Sequence, residues 1–163
     1  MELDLQAPGL ARRMACWLYE GFALTAAVFI FGYLFGALSQ TRHATDNRHA
    51  LQAFLFLVIG IYFVWLWAKG QTLAMKTWRI RVVDRRGRSI TQGRALLRYA
   101  LCWLWFMPAL ATGAILELPQ AQWAFVALAW VAIWSLASHL HPQRQFWHDA
   151  MAGTRLISTP RQA

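Results

Sequence analysis

Residues 51–68 read LQAFLFLVIGIYFVWLWA, an apolar run that contains no charged residue. At about 1.5 Å of rise per residue, a helix over this run would be about 27 Å long, close to the roughly 30 Å hydrocarbon layer of a bilayer. A helix buried in a soluble protein usually keeps a polar face, and this run offers almost no polar residue. The stretch therefore predicts a helix that crosses a membrane.

Three further apolar blocks surround this run, at residues 14–38, 99–116 and 121–140. The whole chain is 58% hydrophobic and only 14% charged, whereas about a quarter of the residues in ordinary soluble domains are charged. We therefore predict an all-α membrane protein, a bundle of four transmembrane helices in which residues 51–68 form the second.

The Lys and Arg residues are distributed unevenly between the predicted spans. Nine of the 16 lie between the second and third spans, from Lys69 to Arg98, whereas only Arg42 and Arg48 lie between the first and second. Two more precede the first span and three follow the fourth, so 14 would share one side of the membrane with both termini. Because positively charged loops stay in the cytoplasm during insertion, we predict that both termini and the basic loop are cytoplasmic.

The same charge distribution bears on the partners of the protein. A basic surface next to a bilayer attracts anionic lipid headgroups, so we expect these lipids to contact the protein. The sequence pI of about 10.8 would suggest nucleic-acid binding in a soluble protein. Here the excess charge is confined to one face of the membrane, which argues against a nucleic-acid partner.

The basic loop between the second and third predicted spans has a pattern of its own. Residues 77–83, TWRIRVV, alternate and are rich in β-branched side chains, which predicts an extended segment. Asp84 and Gly87 mark a turn, after which residues 89–90 continue extended. Thr91 can cap the helix that enters the third span. We therefore predict a short β-hairpin-like cytoplasmic loop.

Two stretches resemble a known family. Residues 70–98 read GQTLAMKTWRIRVVDRRGRSITQGRALLR, and residues 146–157 read FWHDAMAGTRLI. In this order they resemble the RDD family of small bacterial membrane proteins, over about residues 10–157 as a single domain. Residues 1–9 and 158–163 would then be short cytoplasmic tails.

The resemblance assigns the Arg and the two Asp of the family to positions in this chain. The Arg matches Arg13 or Arg12, and the two Asp match Asp84 and Asp149. Members often carry an Asp in the first span, where this sequence has Glu20. The resemblance implies a bacterial inner-membrane location, and a sodium/proton antiport activity has been proposed for some members.

Glu20 is the strongest candidate for a functional residue. It lies about six residues into the first span, and ionisable groups inside spans are candidates for functional sites. Arg13 is two helical turns earlier, so both side chains would share one face of the helix. One interpretation makes Glu20 a proton or cation carrier, and the other makes Glu20 and Arg13 a structural ion pair.

Asp149 and Asp84 are the other acidic candidates. Residues 146–151 place apolar side chains at helical spacing, which predicts a short interfacial helix ended by Gly153. Asp149 on this helix could reach the basic loop or Arg13 and close the cytoplasmic end, with a cation ligand as the alternative. Asp84 is predicted to hold its turn by accepting backbone hydrogen bonds.

Glycine and histidine pairs complete the candidate residues. Gly32 and Gly36 form a GxxxG pair, which lets helices approach closely, either within one protomer or between the copies of a homo-oligomer. His139 and His141 would point apart on a helix, and we expect no metal site there. Because enzyme motifs and cofactor fingerprints are absent from the sequence, we expect neither catalysis nor a cofactor.

Two classes of function remain open. The protein could be a small cation/proton transporter, with Arg13, Glu20 and Asp149 forming a polar path. It could instead be a non-transporting scaffold or accessory protein that binds a protein partner through its basic cytoplasmic face. The two classes differ at Glu20: a transporter needs this carboxylate at a water-filled cavity, whereas a scaffold would keep it fully paired.

Overall fold

The computed structural model describes residues 7–40 and 47–159. Its elements, in chain order, are α1 (Leu10–Ser39), α2 (Arg48–Ala68), α3 (Leu73–Thr77), β1 (Ile80–Asp84), α4 (Gln92–Ile115), α5 (Gln120–Ala137) with a 3-10 turn at Ser138–Leu140, α6 (Trp147–Met151) and β2 (Thr154–Ser158). Four helices, α1, α2, α4 and α5, are long and apolar enough to cross a membrane. Their number and order agree with the four predicted spans.

All four long helices begin before the predicted spans at residues 14–38, 51–68, 99–116 and 121–140, although α5 does so by one residue only. A span prediction finds the edge of the hydrocarbon layer, whereas a helix continues past that edge as long as its backbone hydrogen bonds continue. The start of α4 was predicted from its cap. The side chain of Thr91 accepts a hydrogen bond from the backbone N–H of Arg94 at 3.4 Å.

The long helices pack in the order α1, α2, α4 and α5. Small residues allow close contact at two of these interfaces. A Cβ added at Gly60 of α2 would lie 3.1 Å from the ring of Tyr99 on α4. A Cβ added at Gly113 of α4 would overlap the indole of Trp123 on α5. Both glycines therefore let an aromatic side chain of the neighbouring helix lie directly against the helix backbone.

The sheet differs from the predicted hairpin. Strand β1 pairs antiparallel with β2, near the C-terminus, so that Val82 lies opposite Leu156. Residues 89–90, the predicted second arm, are outside any strand, and Thr77 belongs to α3. The predicted extended segment at residues 77–83 therefore begins too early and pairs with a different partner. A sequence pattern identifies a strand, but it does not identify a partner that lies more than 70 residues away.

Both edges of this two-stranded sheet are covered. On the β1 side, the backbone N–H of Val82 donates to the carbonyl of Gly70 at 2.8 Å. On the β2 side, the buried side chain of Gln145 takes the place of a third strand. It accepts a hydrogen bond from the N–H of Leu156 at 2.9 Å and donates one to the carbonyl of Leu156 at 3.0 Å. These contacts occupy the middle of each edge, where another strand would otherwise pair.

The core of the protein lies at one end of the bundle, which we call the basic end. It is formed by the starts of α1 and α4, the ends of α2 and α5, and residues 69–91 and 138–159. Its core cluster contains the buried residues Cys16, Trp67, Ala74, Met75, Ile80, Val82, Ile90, Ala95, Tyr99 and Leu156. The sheet and the short helices therefore pack against the ends of the long helices as one unit.

The predicted tails at residues 1–9 and 158–163 lie mostly outside the described residues. Residue Ser158, predicted to begin the second tail, is instead the last residue of β2. Its pairing with Ile80 extends the ordered domain to the point where the predicted tail should start. Arg42, which was used to predict the orientation, also lies outside the described residues.

Candidate functional site

Glu20 lies on α1 with both carboxylate oxygens occupied. Its side chain is 6% exposed. Oε1 accepts a hydrogen bond from the hydroxyl of Tyr62 on α2 at 2.6 Å, and Oε2 accepts one from the hydroxyl of Thr72. Thr72 also caps α3 by accepting from the backbone N–H of Met75 at 3.2 Å. The Glu20 cluster, defined as Glu20, Tyr62 and Thr72, thus joins three helices through hydroxyl groups.

Arg13 does not form the predicted ion pair with Glu20. Its guanidinium is buried at 4% exposure and lies over the ring of Phe146, 4.5 Å from the centroid. One nitrogen, Nη2, donates to the hydroxyl of Ser138 at 3.4 Å. The ion pair was one of the two interpretations of Glu20, because a spacing of seven residues places both side chains on one face of α1. In the structure, the hydroxyl groups of Tyr62 and Thr72 contact the carboxylate instead.

Asp149 is fully buried on α6 and pairs with Arg98 of α4. The Nε of Arg98 donates to Asp149 Oδ1 at 2.6 Å, and the imidazole Nε2 of His148 lies 3.2 Å from the same oxygen. The guanidinium of Arg98 also lies over the ring of Trp67, 4.1 Å from its centroid. We call Arg98, His148 and Asp149 the Asp149 cluster. The cluster connects the segment after α5 to α4. Of the two contacts considered for Asp149, with the basic loop or with Arg13, the ion pair is made with Arg98, the last arginine of that loop.

The charges of the Asp149 cluster stabilise one another. Burial alone would raise the pKa of Asp149, but the charges of Arg98 and His148 outweigh burial and hold this pKa well below its usual range. Burial alone would lower the pKa of His148, but the charge of Asp149 outweighs it and raises this pKa to about 10. The cluster is therefore an ionised triad at neutral pH, with two positive groups around one carboxylate.

Asp84 forms the predicted turn at the end of β1. Its Oδ1 accepts hydrogen bonds from the backbone N–H groups of Arg86 and Arg88, both at 2.8 Å. These bonds hold the pKa of Asp84 below its usual value, and the bond from the backbone of Arg88 has the largest effect. Asp84 is not among the residues that line the cavity described next, so the structure separates it from Arg13 and Glu20.

A cavity of about 440 Å³ lies among α1, α2, α4 and α5 and extends into the basic end. Its walls are mainly aromatic and aliphatic. Its charged or titratable lining residues are Arg13, Glu20, Arg98 and His148, together with the thiols of Cys16 and Cys102 and the phenol of Tyr99. The cavity therefore brings together Arg13 and Glu20, two of the predicted site residues. Arg98 and His148, which contact Asp149, also line it.

The remaining candidates contribute less to this site. Within the described part of the chain, no atom lies within 4 Å of a Cβ added at Gly32, the first residue of the GxxxG pair with Gly36. No described helix therefore packs closely against Gly32. Among residues 7–40 and 47–159, no group of three His, Cys, Asp or Glu side chains is arranged to hold a metal ion. The cavity and the two clusters are thus the polar features that the fold assembles.

Four residues of the site were missed at the level of sequence: Tyr62, Thr72, Arg98 and His148. Arg98 was counted only as a topogenic charge, and Tyr62 is one of many aromatic residues in the spans. Thr72 carried a local signal, since it precedes the short run LAMKT and can cap it. Its contact with Glu20 could not be read from spacing, because 52 residues separate the two.

The fold and site define a membrane-associated protein with four long apolar helices and a folded basic end. The sequence pattern of the RDD family matches residues 7–153, most of the chain. The protein belongs to the RDD family. No curated protein and no solved structure matches the chain significantly.

Proposed function

We propose that this protein is a small cation/proton transporter of the bacterial inner membrane, with Glu20 as the exchanging group. The observation that carries the proposal is the position of this carboxylate: it is buried inside a long apolar helix, lines the cavity, and has no cationic group among its hydrogen-bond partners. An ionisable group placed this way is costly to keep in a membrane, and such groups serve ion or proton pathways.

The hydroxyl partners of Glu20 suit an exchange between a proton and a small cation. A hydroxyl group can donate to a carboxylate, or it can turn its hydrogen away and present its oxygen lone pairs. The oxygens of Glu20, Tyr62 and Thr72 would then form a ligand set of the kind that hard cations prefer. Proton and cation would compete for one carboxylate, which is the requirement for coupled exchange.

The Asp149 cluster would close the transport path at the basic end. The basic end faces the cytoplasm in this proposal, because 14 of the 16 Lys and Arg residues fall on its side of the predicted topology. Opening towards the cytoplasm would require α6 to move away from α4, which breaks the contact between Arg98 and Asp149. Transport by alternating access commonly uses such rearrangement around a fixed site.

A non-transporting scaffold is the second candidate. Two observations favour it: both oxygens of Glu20 have hydrogen-bond partners, as a structural role requires, and the basic end exposes a run of positive side chains. These exposed residues are Lys76, Arg79, Arg85, Arg86, Arg88 and Arg94. A scaffold would use this surface to hold a protein partner, and the GxxxG pair in α1 to form a homo-oligomer.

The test is proton movement in everted vesicles from a host that lacks its own sodium/proton antiporters. We expect sodium to dissipate a preformed pH gradient in vesicles with the protein, and Glu20→Gln to abolish the response. Glu117→Gln is the matched control, since this carboxylate is exposed in the α4–α5 connection and should leave transport unchanged. No response to sodium, lithium or potassium from correctly inserted protein would refute transport and leave the scaffold.

A further inference from the structure

The cavity has one polar end and one apolar end. Arg13 and Arg98 lie at the basic end of its wall, whereas Leu24, Ile59, Phe106 and Val131 line the part farther along the helices. Its volume of about 440 Å³ is within the range of roughly 300–1,000 Å³ found for small-molecule sites. A ligand that fills it would need a polar group at one end and an apolar body.

The polar end offers hydrogen-bond donors that nothing satisfies. Within the described residues, Nε and Nη1 of Arg13 and Nη1 of Arg98 are buried without a hydrogen-bond partner. The indole N–H groups of Trp67, Trp105 and Trp134, which also line the cavity, are unpartnered as well. Because buried donors are costly to leave unpaired, the missing group is a hydrogen-bond acceptor.

The positive charge of Arg13 indicates that this acceptor is an anion. Arg98 and His148 both contact Oδ1 of Asp149, whereas its Oδ2 is buried without a hydrogen-bond partner among the described residues. Glu20 is engaged by two hydroxyl groups. In the part of the chain that the structure describes, Arg13 therefore has no carboxylate within ion-pair distance, although only 4% of it is exposed. The carboxylate of Asp149 acts on Arg13 only from beyond ion-pair distance. A buried guanidinium without a direct ion pair is costly, and its free N–H groups can donate to a carboxylate or a phosphate.

The wall on α1 leaves room for an extended apolar chain. Trp17, Gly21 and Leu24 follow one another at helical spacing along the cavity. No atom of residues 7–40 or 47–159 lies within 4 Å of a Cβ added at Gly21. At the rim, Trp17 is 45% and Trp103 is 38% exposed on the outer surface of the helices. A chain could therefore enter sideways from the lipid rather than from water.

We propose that the cavity binds an anionic amphiphile, an acyl chain ending in a carboxylate or phosphate, with its head at Arg13 and its chain beside Gly21. A free fatty acid and an anionic phospholipid are the two sources of this chemistry. Glu20 lines the same cavity, so a bound amphiphile would exclude water from part of the wall next to this carboxylate. Binding at Arg13 and cation exchange at Glu20 are measured separately, so the two proposals can fail separately. An occupied cavity would neutralise Arg13 and complete the packing between α1 and α4.

Tryptophan fluorescence provides a direct test, because several indoles line the cavity and bromine quenches them on contact. The purified full chain, delipidated in a neutral detergent, would be titrated with a brominated fatty acid and with brominated phosphatidylglycerol. The uncharged methyl ester of the acid and brominated phosphatidylcholine serve as ligands without a net negative head. We expect saturable quenching by at least one anionic probe, and the probe that quenches identifies the source.

Two variants with matched controls test the assignment of head and chain. Arg13→Gln should weaken binding roughly 10- to 100-fold, since it removes a charged hydrogen-bond donor. Arg12→Gln removes the same charge at an exposed neighbouring position and should have no effect. Gly21→Leu should block binding with Arg13 intact, whereas Ala26→Leu adds the same side chain at an exposed position of α1.

Three results would overturn the proposal. The first is equal quenching by the methyl ester and the free acid, which would mean that the negative charge of the head group does not contribute to binding. The second is unchanged affinity in both Arg13→Gln and Gly21→Leu. The third is the absence of saturable quenching by either anionic probe. Because Gly21→Leu keeps every charged group, a folding defect of Arg13→Gln would not leave the proposal without a test.

Discussion

The basic end and the remaining length of the helices are built in different ways. Among the described residues, 14 hydrophobic side chains are buried, and all of them except Ala109 lie at the basic end. Farther along α1, large side chains such as Phe29 and Ile30 are 75% and 65% exposed. One region thus has a core of its own, and the other presents its apolar residues outwards.

This difference follows from the two solvents that such a protein meets. Next to water, apolar side chains gain free energy only when other protein atoms cover them, so the basic end needs a core, a sheet and an ion cluster. In a bilayer, lipid tails are as apolar as the side chains, so a helix can expose them at little cost. The comparison predicts that equal substitutions have unequal effects in the two regions.

Asp149→Asn should give the largest effect. Removing one partner of a buried ion pair leaves Arg98 charged and unpaired, which costs roughly 3–5 kcal/mol. We expect a large fall in the thermal unfolding temperature in detergent, measured with the purified protein. The matched control is Asp84→Asn, because an asparagine oxygen can still accept the two backbone hydrogen bonds of its turn. Similar losses in both variants would contradict a special role for the Asp149 cluster.

Truncation of one isoleucine in each region tests the comparison directly. Ile157 of β2 has no exposed surface, and Ile157→Ala should cost roughly 2–5 kcal/mol by leaving a cavity in the core. Ile30→Ala removes the same atoms from an exposed position on α1 and should cost less than about 1 kcal/mol. Unfolding temperatures of the two variants in the same detergent give the result. A larger loss for Ile30→Ala would show that the apolar region also depends on packing, for example against a second copy.

The same division explains which features could be predicted from the sequence. The four long helices follow from local composition, since the length of an apolar run is set by the bilayer itself. The Thr91 cap and the Asp84 turn were also predicted, because each depends on residues within four positions. These features need no knowledge of where the chain returns in space.

The contacts of the basic end could not be predicted in this way. Arg98 and Asp149 are 51 residues apart, and Glu20 meets hydroxyl groups 42 and 52 residues later in the chain. Several arginines near the basic loop were equally plausible partners for Asp149, since charge alone does not select among them. Only the packing of α6 against α4 makes the choice, and this depends on the whole core.

The last prediction is a change in how stability depends on pH. The pKa of His148 is raised from about 6.5 to about 10 in the folded protein, so the charged imidazole stabilises the fold fully below pH 6.5. This contribution should decline as the pH rises from 6.5 and be lost above 10, with a slope of at most about 1.4 kcal/mol per pH unit. His148→Gln should lose less stability than Asp149→Asn at pH 7, because Arg98 still pairs with Asp149. It should also unfold at a temperature that varies less between pH 7 and 9.5.

His139→Gln is the control for this pH dependence, since His139 is exposed at the end of α5 and should leave the pH profile of the original protein unchanged. Unfolding temperatures at half-unit steps of pH would be compared for the three proteins. If His148→Gln kept the original slope, the alkaline loss of stability would belong to another group. The charge contribution of the Asp149 cluster would then come from the pairing of Arg98 with Asp149 alone, and the imidazole would contribute through packing.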